Sequence, residues 1–302
     1  MSAVEQTQPA PAASEIALKD APPRVYAGTP TAFLCLLSEV VRVPTHTLCV
    51  ALMYIDDYRV FVAAECVAEP AWTEPIPDTY SLAIAALSLA CKATESPRRL
   101  RELLTPAYHL FHRGTVPRLT FPSHLYDALR TGAVHCELVL LRVLGFSLTA
   151  RTAFSSGGAV LERALVRGIA HGFHGIGDLE EVTLNSFCDA EGTVLVRAKK
   201  EREFMAEWGA ARLIDTTVGR AAEMWAARYY RSLDTLGRHE PCVVAVAAVY
   251  MAITDEGYEH ALNLSEWVKT MDIAKIDPHL HDSEEDLVVA TTDLIVKFTD
   301  MR

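Results

Sequence analysis

Two short, alanine-rich apolar runs limit what this chain can fold into. Leu82–Lys92 reads LAIAALSLACK, and Val244–Thr254 reads VAVAAVYMAIT. The strings match in hydrophobic character at nearly every step, so that Ala83, Ala85, Ala86 and Ala90 align with Ala245, Ala247, Ala248 and Ala252. Each run is too short to span a bilayer and too uniformly apolar for a surface helix. Each is therefore predicted to be the central buried helix of an all-helical unit, its small alanines letting neighbouring helices approach closely. Two such helices predict two copies of one unit. The copies differ at their ends, where the first finishes in Lys92 and the second in Thr254. A lysine closing a buried helix is a poor choice for packing alone.

The chain of 302 residues has room for two ordinary domains. Half of it is hydrophobic and 22% is charged, which is normal globular material. Its net charge of −11 counts against a protein that tracks nucleic-acid phosphates. Seven cysteines are scattered without a Cys-x-x-Cys pair, mostly inside apolar runs, as small buried hydrophobes are. A reducing, intracellular setting is expected. No basic segment followed by an apolar stretch marks a secretory signal at the N-terminus.

Residues 1–23, rich in Ala, Pro, Ser and Gln, are predicted to be disordered. Thr29-Pro30 is a helix N-cap with proline at the first position, followed by the stripe Phe33, Leu36, Leu37, Val40. Leu48, Ala51, Leu52 and Ile55 repeat that spacing in a second helix, expected to end near Val62. After a proline-rich loop the buried helix runs from about Thr79 to Lys92. Ser96-Pro97 is read as opening a fourth helix, with Leu100, Leu103 and Leu104 inward, and Pro106 is expected to kink or end its regular part. A fifth helix covers about Ser123–Leu144, with Gly145 as its C′ residue. In the second half, helices are expected over about Ala153–Val166, Ala210–Arg231, Glu240–Thr254, Leu264–Met271 and Glu284–Phe298, with an insertion at about 168–207. The prediction is all-α: a tail over 1–23, one five-helix unit over 24–149 and a second over 150–302.

This arrangement resembles the paired folds of the cyclin family. SLAIAALSLACKATES is similar to the cyclin-box stretch in which a buried helix ends in lysine, and HCELVLLRVLGFSL is similar to the later stretch in which a glutamate precedes an apolar run and Leu-x-Phe-x-Leu. The wording CELVLLRVLGF is nearest the transcription-type branch, and within it the Q-type cyclins. The resemblance covers Arg24–Ala150 best and 210–302 less closely. It implies a non-catalytic regulatory subunit that forms a heterodimer with a cyclin-dependent serine/threonine kinase, in transcription or cell-cycle control. A nuclear location, with or without a cytoplasmic pool, goes with it. No cofactor, metal, membrane or direct nucleic-acid contact is implied. The kinase-binding residues it implies are Lys92 and Glu137, with the apolar positions Leu141, Phe146 and Leu148. One acidic residue, Glu95, follows Lys92 where family members often carry two, and Ala93 stands where an apolar or aromatic contact is usual. Read without the family, Lys92–Glu137 is equally an internal bridge between two helices, Leu141 a core residue and Phe146 a latch for the helix end.

Other constellations point less far. Asp56-Asp57 resembles a metal-binding carboxylate pair but lacks a third acid, so a solvated helix end is preferred. His171 and His174, and His279 and His281, lack the cysteine partners of a zinc site. No glycine-rich phosphate loop and no Gly-x-Ser-x-Gly elbow is present. The cluster Arg197, Lys199, Lys200, Arg202 alternates with Glu201 and Glu203 and reads as a solvated face before it reads as an import signal. Ser96-Pro97-Arg98-Arg99 fits a proline-directed phosphorylation site, although an N-cap with proline at the first helical position explains the same residues and is preferred. Rival readings of the whole chain are a cyclin-fold transcription factor, against which the acidic charge counts, a scaffold that has lost kinase binding, and a helical enzyme without a visible catalytic set.

Overall fold

The computed structural model of the protein describes residues 28–68, 77–112, 117–154, 159–172, 216–232, 238–257, 262–277 and 283–301. Among them every regular element is a helix and there is no strand. The chain divides into two compact units, Met1–Thr149 and Ala150–Arg302. The tail over 1–23, most of the 168–207 stretch with its basic cluster, and His174, His279 and His281 lie outside the described residues.

The first unit holds α1 (Pro30–Val41), α2 (Thr45–Ala68), α3 (Thr79–Ala93), α4 (Leu100–His112) and α5 (His124–Val143). Thr29 caps α1, its hydroxyl oxygen accepting from the Ala32 N–H at 3.1 Å, with Pro30 at the first position. The inward face of α1 is Phe33, Leu34 and Leu37, each fully buried; Leu36 and Val40, expected on that stripe, are exposed. The helix turns by 100° per residue, and the buried face also takes in Thr31 and Ser38, which moves its centre away from 36 and 40. Leu48, Ala51, Leu52 and Ile55 are all buried on α2, which continues past Val62 to Ala68. Every residue of α3 from Leu82 to Cys91 is buried, and α1, α2, α4 and α5 all pack against it. Phe33 on α1 stacks on Phe111 of α4 with centroids 4.4 Å apart, and Tyr80 of α3 meets both edge-on.

Two expectations for α4 are corrected. Ser96-Pro97 opens no helix, because α4 begins at Leu100. Glu102 reaches back to accept from the Arg99 N–H at 3.2 Å and thereby sets the start three residues later. Pro106 does not end the helix, which runs through it to His112. The buried face Leu103, Leu104, Ala107, Tyr108 and Phe111 continues across the proline and anchors both halves.

The second unit holds α6 (Ala159–Gly172), α7 (Thr217–Arg231), α8 (Pro241–Asp255), α9 (Leu264–Thr270), the single turn α10 (Ile273–Ile276) and α11 (Glu284–Asp300). Here α8 takes the central place, packed by α6, α7, α10 and α11. The helix expected from Ala153 begins instead at Ala159, because Thr152, Ala153 and Phe154 form a buried non-helical lead-in. The Ala153 N–H donates to the Tyr230 hydroxyl at 2.7 Å. Arg151 places one guanidinium nitrogen 2.8 Å from the buried Asp277 carboxylate and 3.4 Å from Glu240, the N-cap residue of α8. Gly168, read from sequence as the start of the insertion, is a buried residue of α6 lying against α8. A Cβ at that position would meet Val249 Cγ1 at 2.6 Å.

Candidate functional site

The outstanding surface feature of the first unit lies where the end of α3 meets α5. Asp78 starts α3, its carboxylate accepting from the Ser81 N–H at 2.9 Å. From there the alanine-rich run is buried until Cys91, and the next residue, Lys92, emerges in the last turn. A cation is favourable there because the helix carbonyls point toward that end. Ser123 starts α5 by accepting from the Tyr126 N–H at 3.2 Å. Each member of the central pair follows a buried cysteine, Cys91 on α3 and Cys136 on α5. Burial raises both thiols; Cys136 is pushed up to about 11, with Asp78 adding to the effect, while Arg98 partly offsets the rise at Cys91. These thiols are neutral packing groups.

Lys92 Nζ donates to both carboxylate oxygens of Glu137, at 3.0 and 2.8 Å. The two ends differ in exposure: the lysine side chain is 53% exposed and the glutamate 12%. The carboxylate is thus held almost inside the protein and the ammonium reaches out over it. Such a half-exposed pair contributes only about 0–1 kcal/mol to stability. With both carboxylate oxygens engaged, the third ammonium hydrogen remains to be donated outward.

The remaining apolar positions lie on α5 and the segment after it. Leu141 is half-buried one turn beyond Glu137, on the same face of α5. Leu148 is half-buried, and its carbonyl accepts from the Tyr54 hydroxyl at 2.6 Å, which holds the segment after α5 against α2. Burial, then Asp57, pushes the Tyr54 hydroxyl up to about 12, so it stays a donor. Phe146 is not a latch, since it is 71% exposed. Its backbone closes α5: the Phe146 N–H donates to the Leu141 carbonyl at 2.7 Å and the Gly145 N–H to Arg142 at 3.1 Å. This needs Gly145 at φ 57° and carries Phe146 itself to φ 61°, a conformation that L side chains avoid. Glu95 does the same at the end of α3, at φ 53°, beside a Ser96 N–H to Cys91 carbonyl bond of 3.0 Å.

Two surface residues escaped the sequence reading. Val134 and Leu138, 40% and 50% exposed, lie on the face of α5 that carries Glu137 and Leu141. They give that face of α5 an exposed apolar strip beside the ion pair, and Phe146 is exposed beyond the helix end. Their signal was present in the run AVHCELVLL, but periodicity alone does not say which part of an apolar run faces solvent.

Elsewhere, Asp56 pairs with Arg59 at 3.7 Å. Among the described residues no group of three or more potential ligands could hold a metal ion, and no helix is long and apolar enough to cross a membrane. No protein-family model matches the chain.

Proposed function

We propose that this chain is a cyclin-family regulatory subunit, nearest the Q-type members of the transcription-type branch, that binds and activates a cyclin-dependent serine/threonine kinase through its first unit. Each unit would be a cyclin-like fold, and the heterodimer would act in the nucleus without chemistry or nucleic-acid contact of its own. The observation that carries this reading is the Lys92–Glu137 pair, doubly hydrogen-bonded between the end of α3 and the body of α5, with exposed Val134 and Leu138 on the same face of α5. An internal bridge would gain little from leaving its lysine half in solvent. A docking site uses that arrangement: the buried carboxylate orients the ammonium toward a partner backbone, and the apolar strip supplies area that leaves water on contact.

Activation would follow from where the partner is held. A surface that grips the kinase's regulatory helix favours the conformer in which that helix's glutamate reaches the catalytic lysine and completes the phosphate-positioning site. This works only to the extent that the docking face binds the active conformer more tightly than the inactive one.

The test is the exchange Lys92→Glu/Glu137→Lys. It keeps an attractive pair between the two helices and reverses the sign offered to a partner. Affinity capture from the native cell, read by mass spectrometry, should recover a kinase with the wild type and lose it with the exchanged protein, at unchanged circular dichroism. A kinase recovered equally by both would refute docking through this pair. Polymerase subunits in its place would favour a transcription factor, and no kinase with either protein would favour a scaffold.

A further inference from the structure

We propose that Ser96 is a phosphoacceptor for a proline-directed serine/threonine kinase. The chain contains three Ser/Thr-Pro dipeptides: Thr29-Pro30, Ser96-Pro97 and Thr105-Pro106. The structure gives two of them helix-building roles. Thr29 spends its hydroxyl on the α1 cap, and Thr105-Pro106 lies inside α4. Ser96 does neither. It sits in the non-helical stretch 96–99 between α3 and α4. Pro97 disfavours the helical region at Ser96 and biases it to extended backbone. Its hydroxyl makes a single contact, to the Thr94 carbonyl at 3.4 Å, beyond the usual range for a hydroxyl donor. An acceptor must bring its oxygen in line with the transferring phosphoryl group. A partly exposed loop serine can do so, and a residue locked in a helix cannot.

The two residues after Pro97 complete the recognition element. Arg98 reaches only the Pro97 and Arg42 carbonyls, at 3.4 and 3.3 Å, and Arg99 forms no ion pair among the described residues. Both guanidiniums are therefore open to acidic groups in a kinase cleft before transfer and to the phosphate after it. In the reaction Ser96 Oγ forms a bond to the γ-phosphorus of MgATP, and the bond from that phosphorus to the β,γ-bridging oxygen breaks. The hydroxyl proton passes to the kinase's carboxylate base, and ADP leaves. The product adds a charge of about −1.5 to −2 four residues beyond Lys92.

The experiment incubates the full chain with a purified proline-directed kinase that favours a basic residue after the proline, together with MgATP, and maps the phosphate by peptide mass spectrometry. Phosphate on Ser96 in preference to Thr29 and Thr105 is expected. It should be lost in Ser96→Ala and in Pro97→Ala, slowed in Arg99→Ala, and kept in Ser96→Thr, which shows that the loop still folds and presents a hydroxyl. An unmodified Ser96, a preference for Thr29 or Thr105, or full modification of Pro97→Ala would overturn the assignment. None of these readouts depends on the docking function.

Discussion

Replacing Gly168 by alanine tests how closely the helices of the second unit approach. In an exposed helix the change would stabilise the protein by about 1 kcal/mol, because glycine loses more backbone freedom on folding. Here the added Cβ would stand 2.6 Å from Val249 Cγ1, with Ile253 Cδ1 and Met271 Cε at 3.7 Å. Carbon atoms in good contact lie about 3.5–4.0 Å apart, so the valine methyl is overrun by roughly 1 Å while the other two contacts are ordinary. Valine is branched and stiff at its first side-chain torsion and cannot swing aside cheaply. Overpacking of this kind costs about 1–3 kcal/mol. Set against the propensity gain, the net expectation is a loss of about 0–2 kcal/mol. The double-mutant cycle is more telling than the single change. Val249→Ala removes the obstructing methyl, so Gly168→Ala should then be tolerated, with a coupling of about 1–3 kcal/mol. Urea unfolding followed by the fluorescence of Trp225 and Trp267, both buried in this unit, measures all four corners. A stabilised Gly168→Ala protein, or an equal cost with and without the Val249 methyl, would refute the close approach.

Two further outcomes follow from residues held against their ordinary preferences. Phe146→Gly relieves a left-handed phenylalanine worth about 1–2 kcal/mol and returns about 0.5–1 kcal/mol to the unfolded chain. The melting temperature should rise slightly while kinase capture falls; a clear loss of stability would mean that the ring packs. His239 is held below the ordinary histidine range by burial first, then by Lys297 and Arg238, with Asp293 opposing, and its Nδ1 lies 3.2 Å from the Tyr229 hydroxyl. Its depressed folded value means that the unfolded chain binds the extra proton more readily. Stability is therefore retained above the unfolded value of about 6.5 and is lost as pH falls through it. Urea midpoints at neutral and mildly acidic pH should differ more for the wild type than for His239→Gln, and an equal difference would exclude His239 as the source.

The all-α class and the two central helices were readable because uniform burial leaves a direct mark: an apolar run shorter than a membrane span has few other places to go. Caps were readable too, since Thr29 and Gly145 act through local chemistry, whereas Ser123 was read only as the start of its helix. What escaped was decided by competing contacts, most of them at a distance. Leu36 and Val40 match the spacing of a core stripe, yet α1 is rotated by the Phe33–Phe111–Tyr80 cluster, whose members are far apart in sequence. Ser96-Pro97 has the composition of a helix start, but Glu102 offers the Arg99 N–H a better one. Lys92 and Glu137 were singled out through a resemblance; their spacing alone does not say that they touch. Val134 and Leu138 were invisible as surface because burial depends on what covers a helix.

Arg151 bears on how the chain can be divided. The second unit's first helix begins at Ala159, and a cut made there would look harmless on a helix diagram. It would remove the buried Thr152, Ala153 and Phe154, and with Arg151 the cation facing Asp277, whose side chain is 6% exposed. Taking its ion-pair cation from a carboxylate that buried is costly. The second unit therefore starts near residue 150, and the few residues before its first helix belong to the fold as fully as any helix does.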